Sequence, residues 1–319
     1  MNLGTEYYSK GTMTAPKFKY CMVAGNTYVF PAAALALLLT IAPLSAHSFP
    51  SVQEDSAIDA RIDQENGAKH SRFALLAHKP NYLLPATYTS SPNSPAYSAF
   101  PDIGGHLDNM EAKFQLSFKI PLWEGLLGGK ADIYAAYTQL ALWQAYNARI
   151  SAPFREINYE PEAFLGYRTD IDLLGARLNF VTIGFNHQSN GQIEALSRSW
   201  NRVVVGAVIQ KGKNYFCIRQ WTRMPERAKD DDNPGMGRYL GYGDLLFMRS
   251  GRNNSFSVLL RNNLRTGENK GALQVDWSFP LHRNLKGHVQ YFTGYGETLI
   301  DYNRPSTRIG LGVALTDWI

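Results

Sequence analysis

The sequence predicts an all-β protein: a transmembrane antiparallel β-barrel of twelve strands with a short periplasmic N-terminal extension. Three observations predict it. The first is a leader. Lys17 and Lys19 precede an apolar run over 29–44 (VFPAAALALLLTIAPL), which ends at Ser45 and Ala46. A basic flank, an apolar centre and small residues at the end mark a secretory signal, cleaved near Ala46. Pro31 and Pro43 interrupt the run, which argues against an anchor helix. The stretch before Lys17 is long for a signal, so Met1, Met13 and Met22 are all candidate starts. The second is that no segment after residue 50 has the roughly 18 apolar residues of a membrane helix. The third is a series of short alternating segments, separated by turn residues, that continues to the C-terminus.

The elements follow in order. Residues 1–46 are read as the signal and 47–79 as a polar periplasmic segment without periodicity. The barrel occupies 80–319. Its strands are expected near 80–89, 110–122, 131–146, 155–169, 174–187, 198–212, 213–223, 239–250, 254–266, 271–280, 286–295 and 305–318. An even number returns both ends of the barrel to the periplasm. The last strands alternate most clearly. Leu273, Val275, Trp277 and Phe279 oppose Gln274, Asp276 and Ser278; Ile309, Leu311, Val313 and Leu315 oppose Arg308, Gly310, Gly312 and Ala314. Small and polar inner residues suit a narrow lumen filled by side chains. A soluble β-sandwich is the alternative, and the leader and the sustained alternation argue against it. With odd strands rising, the connections 147–154, 188–197, 224–238, 267–270 and 296–304 lie outside.

Composition agrees. Aromatic residues make up 13% of the 319 residues, with 18 Tyr and 16 Phe. The net charge of +5 is scattered without a Lys/Arg block, which argues against nucleic-acid binding. Cys21 falls in the leader and leaves Cys217 alone, so no internal disulfide and no cysteine-based metal site forms.

The run GFNHQSNGQIEALSRSWNR, 184–202, carries the chemistry. His187 and Ser189 are two residues apart. On a strand that spacing puts both on one face, with Cβ atoms roughly 6–7 Å apart. The imidazole there can serve the hydroxyl as general base. Asn201 follows a turn and falls on the next antiparallel strand. Its oxygen can accept the other imidazole N–H and fix the tautomer, which is triad logic with a neutral third member. Phe185, Ile183 and Val181 share the face of His187; Val203, Val205, Ala207 and Ile209 share that of Asn201. Such an apolar stripe suits an enzyme whose substrate is lipid.

Other groups compete for attention. Gln139 shares parity with Ile133, Ala135, Tyr137, Ala141 and Trp143, so it faces lipid, or else the register differs and it faces the lumen. Facing lipid, it would be relieved by the same residue of a second copy. Arg155, Glu156, Asn158, Glu160 and Glu162 are read as an interior network with arginines of neighbouring strands rather than glycosidase carboxylates. Asp230, Asp231, Asp232 and Asn233 superficially suggest a calcium loop. Gly241 stands where an EF-hand needs its bidentate Glu, so the run is read as a solvated external loop. Cys217 shares its face with Arg219 and is read as an inert inward residue.

At these residues the chain resembles the outer membrane phospholipase A family of Gram-negative bacteria. The matching stretches are YTQLALWQ (137–144), SAPFREINYEPEAFLGY (151–167), NHQSNGQIEALSRSWNR (186–202) and GYGETLIDYN (294–303). The resemblance implies a twelve-stranded barrel with a Ser-His-Asn triad, here Ser189, His187 and Asn201. It also implies calcium (Ca2+) in the active homodimer. The ligand positions match Ser197, the main-chain carbonyl of Gln192, and Ser151 from the other subunit. Gln139 matches the family's dimer-interface glutamine. The family commonly has Arg where Gln192 stands, and most such barrels end in an aromatic where Ile319 stands. The reading is a calcium-dependent phospholipase A1/A2 acting on phospholipids and lysophospholipids at the cell outer membrane. The rival is a passive pore or structural barrel. An outer-membrane protease would need acidic and His residues on long external loops, which the sequence does not supply.

Overall fold

The computed structural model describes residues 57–69, 75–251, 254–282 and 285–318. The expected signal peptide, the three candidate starts, Cys21 and Ile319 lie outside the described residues.

Twelve strands close a barrel: β2 (Asn81–Thr89), β3 (Met110–Gly125), β4 (Ala131–Trp143), β5 (Phe154–Leu173), β6 (Ala176–Ser189), β7 (Ser199–Lys211), β8 (Asn214–Arg223), β9 (Gly243–Ser250), β10 (Ser255–Asn262), β11 (Gly271–His282), β12 (Leu285–Tyr295) and β13 (Pro305–Thr316). Each pairs antiparallel with the next, and β13 pairs with β2, which leaves no free edge. A short β1 (Leu76–Ala77) adds to β3. The expected strands are all present. The eighth of them, β9, begins at Gly243 rather than 239, because Met236–Leu240 turns as a short helix that ends at Gly241, whose φ is 64°.

Alternation sorts two environments. Trp277, Ile309, Leu311 and Leu315 are exposed on the outside, while Asp276, Ser278 and Arg308 are buried within. An apolar outside of this kind is what a membrane-spanning barrel presents to lipid. Gln139 keeps the outward parity, beside Tyr137, whose hydroxyl donates to it at 3.1 Å.

The polar cluster of β5 is an interior network, as the sequence suggests. Arg155 pairs with Glu111 (2.7 Å) and Asp301 (3.2 Å); Arg308 pairs with Glu111 (2.6 Å) and Glu297 (2.9 Å); Lys113 pairs with Glu297 (2.8 Å). Lower in the barrel, Lys79 bridges Glu160 and Glu162, and Arg202 also reaches Glu160. The external segment 296–304 belongs to this network. Leu299 N donates to Asn158 and Ile300 N to Glu156, so the segment sits in the barrel mouth.

The N-terminal extension departs from expectation. Residues Ala57–Lys69 form a helix, α1, at the opposite end of the barrel. Ile58 packs with Tyr215, Leu246 and Met248; Asp59 pairs with Arg168 and Arg177; Glu65 pairs with Lys119. The helix escapes periodicity analysis because Ile58 and Ile62 are its only large apolar residues, too few for a stripe. The lumen is less full than expected too. Between helix and mouth lies a cavity of about 400 Å³, lined by Lys79, Glu160, Glu162, Arg202 and Arg219 among others.

Burial alone would raise the Glu297 carboxyl, but Arg308 and Lys113 hold it down to about 2, against an ordinary value of 4.5. A depressed carboxyl stabilises the fold above its unfolded value, and that contribution is lost as pH falls through the folded one. Glu297→Gln should therefore lower the melting temperature in detergent at pH 7, with the difference from wild type shrinking between pH 4.5 and 2. An unchanged difference across that window contradicts the assignment.

Candidate active site

β6 and β7 place the residues expected from the sequence. They pair in register, with His187 opposite Asn201, Phe185 opposite Val203 and Ile183 opposite Val205. This register puts the imidazole and the amide on one outward face, above a strip where Ile183, Phe185 and Val203 are exposed. The inward face carries Asn186 and Arg202, both buried; Arg202 donates to Asn186 from Nε at 3.0 Å. Gln188 and Trp200, also inward, join through Trp200 Nε1 at 2.9 Å. The inward contacts fix the hairpin so that the outward face cannot rotate.

His187 Nδ1 lies 2.8 Å from Asn201 Oδ1. An amide oxygen only accepts, so Nδ1 carries a ring proton, and the neutral tautomer with this bond has its lone pair on Nε2. Ser189 ends β6, opposite Ser199 on β7 and Tyr159 on β5. Among the described residues no hydrogen bond joins Ser189 to His187. A base and nucleophile often close that distance only with substrate bound.

The segment after Ser189 is held by Asn190, which sequence reasoning missed. Its side chain is buried. Nδ2 donates to Glu156 Oε2 (3.3 Å) and to the Leu196 carbonyl (2.8 Å); Oδ1 accepts from Gln192 N (3.3 Å) and Arg198 N (2.9 Å). Gly191 follows with φ 62°, where a Cβ would lie 3.0 Å from the Tyr159 ring. Both backbone angle and space require glycine there. The signal for Asn190 in the sequence is an Asn-Gly pair, which reads only as a turn.

The oxygen donors matched to calcium lie on external turns. Gln192 and Ser197 are in the β6–β7 connection. Ser197 Oγ donates to Asp232 Oδ2 at 2.5 Å. The acidic run is thus not simply solvated. Asp232 meets Ser197, Asp231 pairs with Arg223 (2.6 Å), and Asn233 is buried, accepting from Ser199 N (2.9 Å). It folds onto the site because Arg223 and Ser199 draw it there. Ser151 is exposed on the β4–β5 turn, with φ 62°. Trp143 Nε1 anchors that turn through the Ala152 carbonyl at 2.8 Å. Cys217 is a free, inward-facing thiol beside the lumen cavity and takes no part in the site.

The phospholipase A1 family profile matches residues 58–315. The chain belongs to the phospholipase A1 family. It is an ester hydrolase of phospholipids, built on an outer-membrane barrel. Phospholipase A1 of Klebsiella pneumoniae is 37% identical over 273 residues, covering 86% of this chain and 91% of that protein. Phospholipase A1 of Escherichia coli K12 is 36% identical over 290 residues, covering 91% and 96%. Among solved structures, outer membrane phospholipase A from E. coli superimposes with a TM-score of 0.74 at 36% identity, over 78% of this chain and 94% of that one. The Salmonella typhi outer membrane phospholipase, a dimer with bound calcium, gives 0.75 at 37% identity, over 80% and 97%.

Asn190→Ala should leave a folded barrel and lower phospholipase activity by at least about tenfold, because four hydrogen bonds that shape the segment beside Ser189 are lost. Activity on mixed micelles, with heat-modifiable gel mobility as the folding check, tests it. Unchanged activity would remove Asn190 from the site.

Proposed function

We propose that the chain hydrolyses acyl esters of phospholipids and lysophospholipids with Ser189 as nucleophile, His187 as general base and Asn201 as its orienting group. The observation that carries this is the in-register His187–Asn201 bond of 2.8 Å on the lipid-facing side of the barrel, two residues from Ser189. His187 Nε2 takes the Ser189 proton as Oγ attacks the acyl carbonyl carbon. The oxyanion collapses, the glycerol oxygen leaves, and His187 returns the proton to it. Lysophospholipid departs. Water then gives a proton to His187 and its oxygen attacks the acyl-serine; the fatty acid leaves and Ser189 regains its proton. The N–H of Gly191 is the main-chain donor assigned to the oxyanion.

Calcium fits the site by donor chemistry. The hydroxyl of Ser197, the carbonyl of Gln192 and the hydroxyl of Ser151 from a second copy are hard oxygen donors, and Asp232 brings a carboxylate to Ser197. When bound, calcium supplies positive charge to the oxyanion region. Support for it comes from the Salmonella dimer with bound calcium. A site shared between copies ties activity to dimerisation. The outward Gln139 is assigned to that interface, since Tyr137 satisfies only its oxygen, and an amide NH₂ left in hydrocarbon is costly and is relieved by an identical amide.

Ser189→Ala and His187→Ala should each lower kcat by at least about 10³-fold in a folded barrel, and Asn201→Ala by less. More than a tenth of wild-type activity in Ser189→Ala sinks the triad. Chelator should abolish turnover without unfolding; full activity in excess chelator removes the calcium assignment. Gln139→Ala should weaken dimerisation by about 1–2 kcal/mol, read by cross-linking across a detergent dilution series. Full specific activity in a demonstrably monomeric sample refutes the shared site.

A further inference from the structure

We infer that Glu226 selects which end of the Asn201 amide faces His187, and so holds the imidazole in its reactive tautomer. The inference rests on the triad reading above. An aspartate in the third position presents equivalent oxygens. An asparagine presents one oxygen and one NH₂ of nearly the same shape. Flipped, its NH₂ would face Nδ1, which could then only accept. The ring proton would move to Nε2, the nitrogen that must take the proton of Ser189. A neutral third member therefore needs something to fix its orientation.

Glu226 meets that need. Asn201 Nδ2 donates to Glu226 Oε1 at 3.2 Å, and among the described residues no other acceptor reaches this NH₂. A carboxylate only accepts, so it tolerates the NH₂ end and repels the oxygen end. The carboxylate is itself held. Oε2 takes Arg223 Nη2 at 3.3 Å, and the Glu226 side chain is 18% exposed. Arg223 is fixed independently by Asp231 Oδ1 (2.6 Å) and the Asn233 carbonyl (3.0 Å). The backbone is tied as well, since Met224 N donates to the Asn201 carbonyl at 2.8 Å. Glu226 is thus a positioning residue, supplied by the β8–β9 connection. Its presence also gives a reason for the asparagine: an aspartate at 201 would set two carboxylates against each other.

The test is a double-substitution cycle with kcat and KM measured on phospholipid in mixed micelles. Glu226→Ala should lower kcat about tenfold and leave KM within about twofold, on the scale of one lost charged hydrogen bond. Glu226→Gln keeps the shape but can present either end of its own amide, and it should lower kcat as well. In an Asn201→Asp background the sign should reverse. That carboxylate needs no orienting and is repelled by Glu226, so adding Glu226→Ala or Glu226→Gln should raise kcat. A role limited to bracing the connection gives equal losses in both backgrounds. Equal losses, or no loss in either, overturn the inference, as does an Asn201→Asp enzyme that neither substitution improves. Heat-modifiable mobility verifies folding of every variant, and the bonds of Arg223 to Asp231 and Asn233 remain when Glu226 is truncated. Ser189→Ala separates the two readings: if it stays active the triad fails, and if it is inactive while the cycle is additive, only the role of Glu226 fails.

Discussion

Charge buried in the outer half of the lumen is the constraint on which the rest depends. Arg155 and Arg308 are buried, and neither can lose its proton. Each must be matched by carboxylates, and the matching groups come from distant parts of the chain: Glu111 on β3, Asp301 and Glu297 on the segment before β13. Satisfying them forces 296–304 down into the mouth. That descent presents Leu299 N and Ile300 N to Asn158 and Glu156, and the second oxygen of Glu156 then holds Asn190 beside Ser189. The arrangement beside Ser189 is thus set by ion pairs on the other side of the barrel wall. Breaking one partner of such a set leaves an uncompensated charge, which is far more costly than never having placed it.

The same wall separates two solvents, and the site uses both. Inward side chains of β6 and β7 make the polar contacts of Asn186, Gln188, Trp200 and Arg202, which lock the hairpin. Outward side chains of the same strands make an apolar strip with His187 and Asn201 at its rim. Neutral groups suit that rim, where an unpaired charge would be desolvated. The carboxylate that assists them stands on a connection rather than on the strands.

Much of this was legible in the sequence because a strand with one face in lipid has a strict period of two. The alternation of Ile309, Leu311 and Leu315 against Arg308, or the spacing of His187 and Ser189, can be read without coordinates. So can the inward cluster of Arg155, Glu156 and Glu160. What could not be read depends on contacts distant in sequence. Helix α1 docks through two isoleucines, Ile58 and Ile62, and through ion pairs of Asp59 and Glu65, so amphipathicity carries little signal there. Asn190 and Glu226 are ordinary loop residues until the fold gives them partners 34 and 25 positions away. The acidic run looked like a solvated loop because nothing local shows that Arg223 and Ser199 will draw it inward.

Helix α1 touches both extremes of the barrel sequence. Arg61 donates to the carbonyl of Ala77, next to the first barrel strand, and to that of Trp318, beyond the last. The receptor for this guanidinium is incomplete until β13 has met β2, a pairing between segments more than two hundred residues apart. The helix consequently completes its docking only after closure. It behaves as a latch that engages when the cylinder has closed, and its protection from a protease is a clock for the last step of assembly.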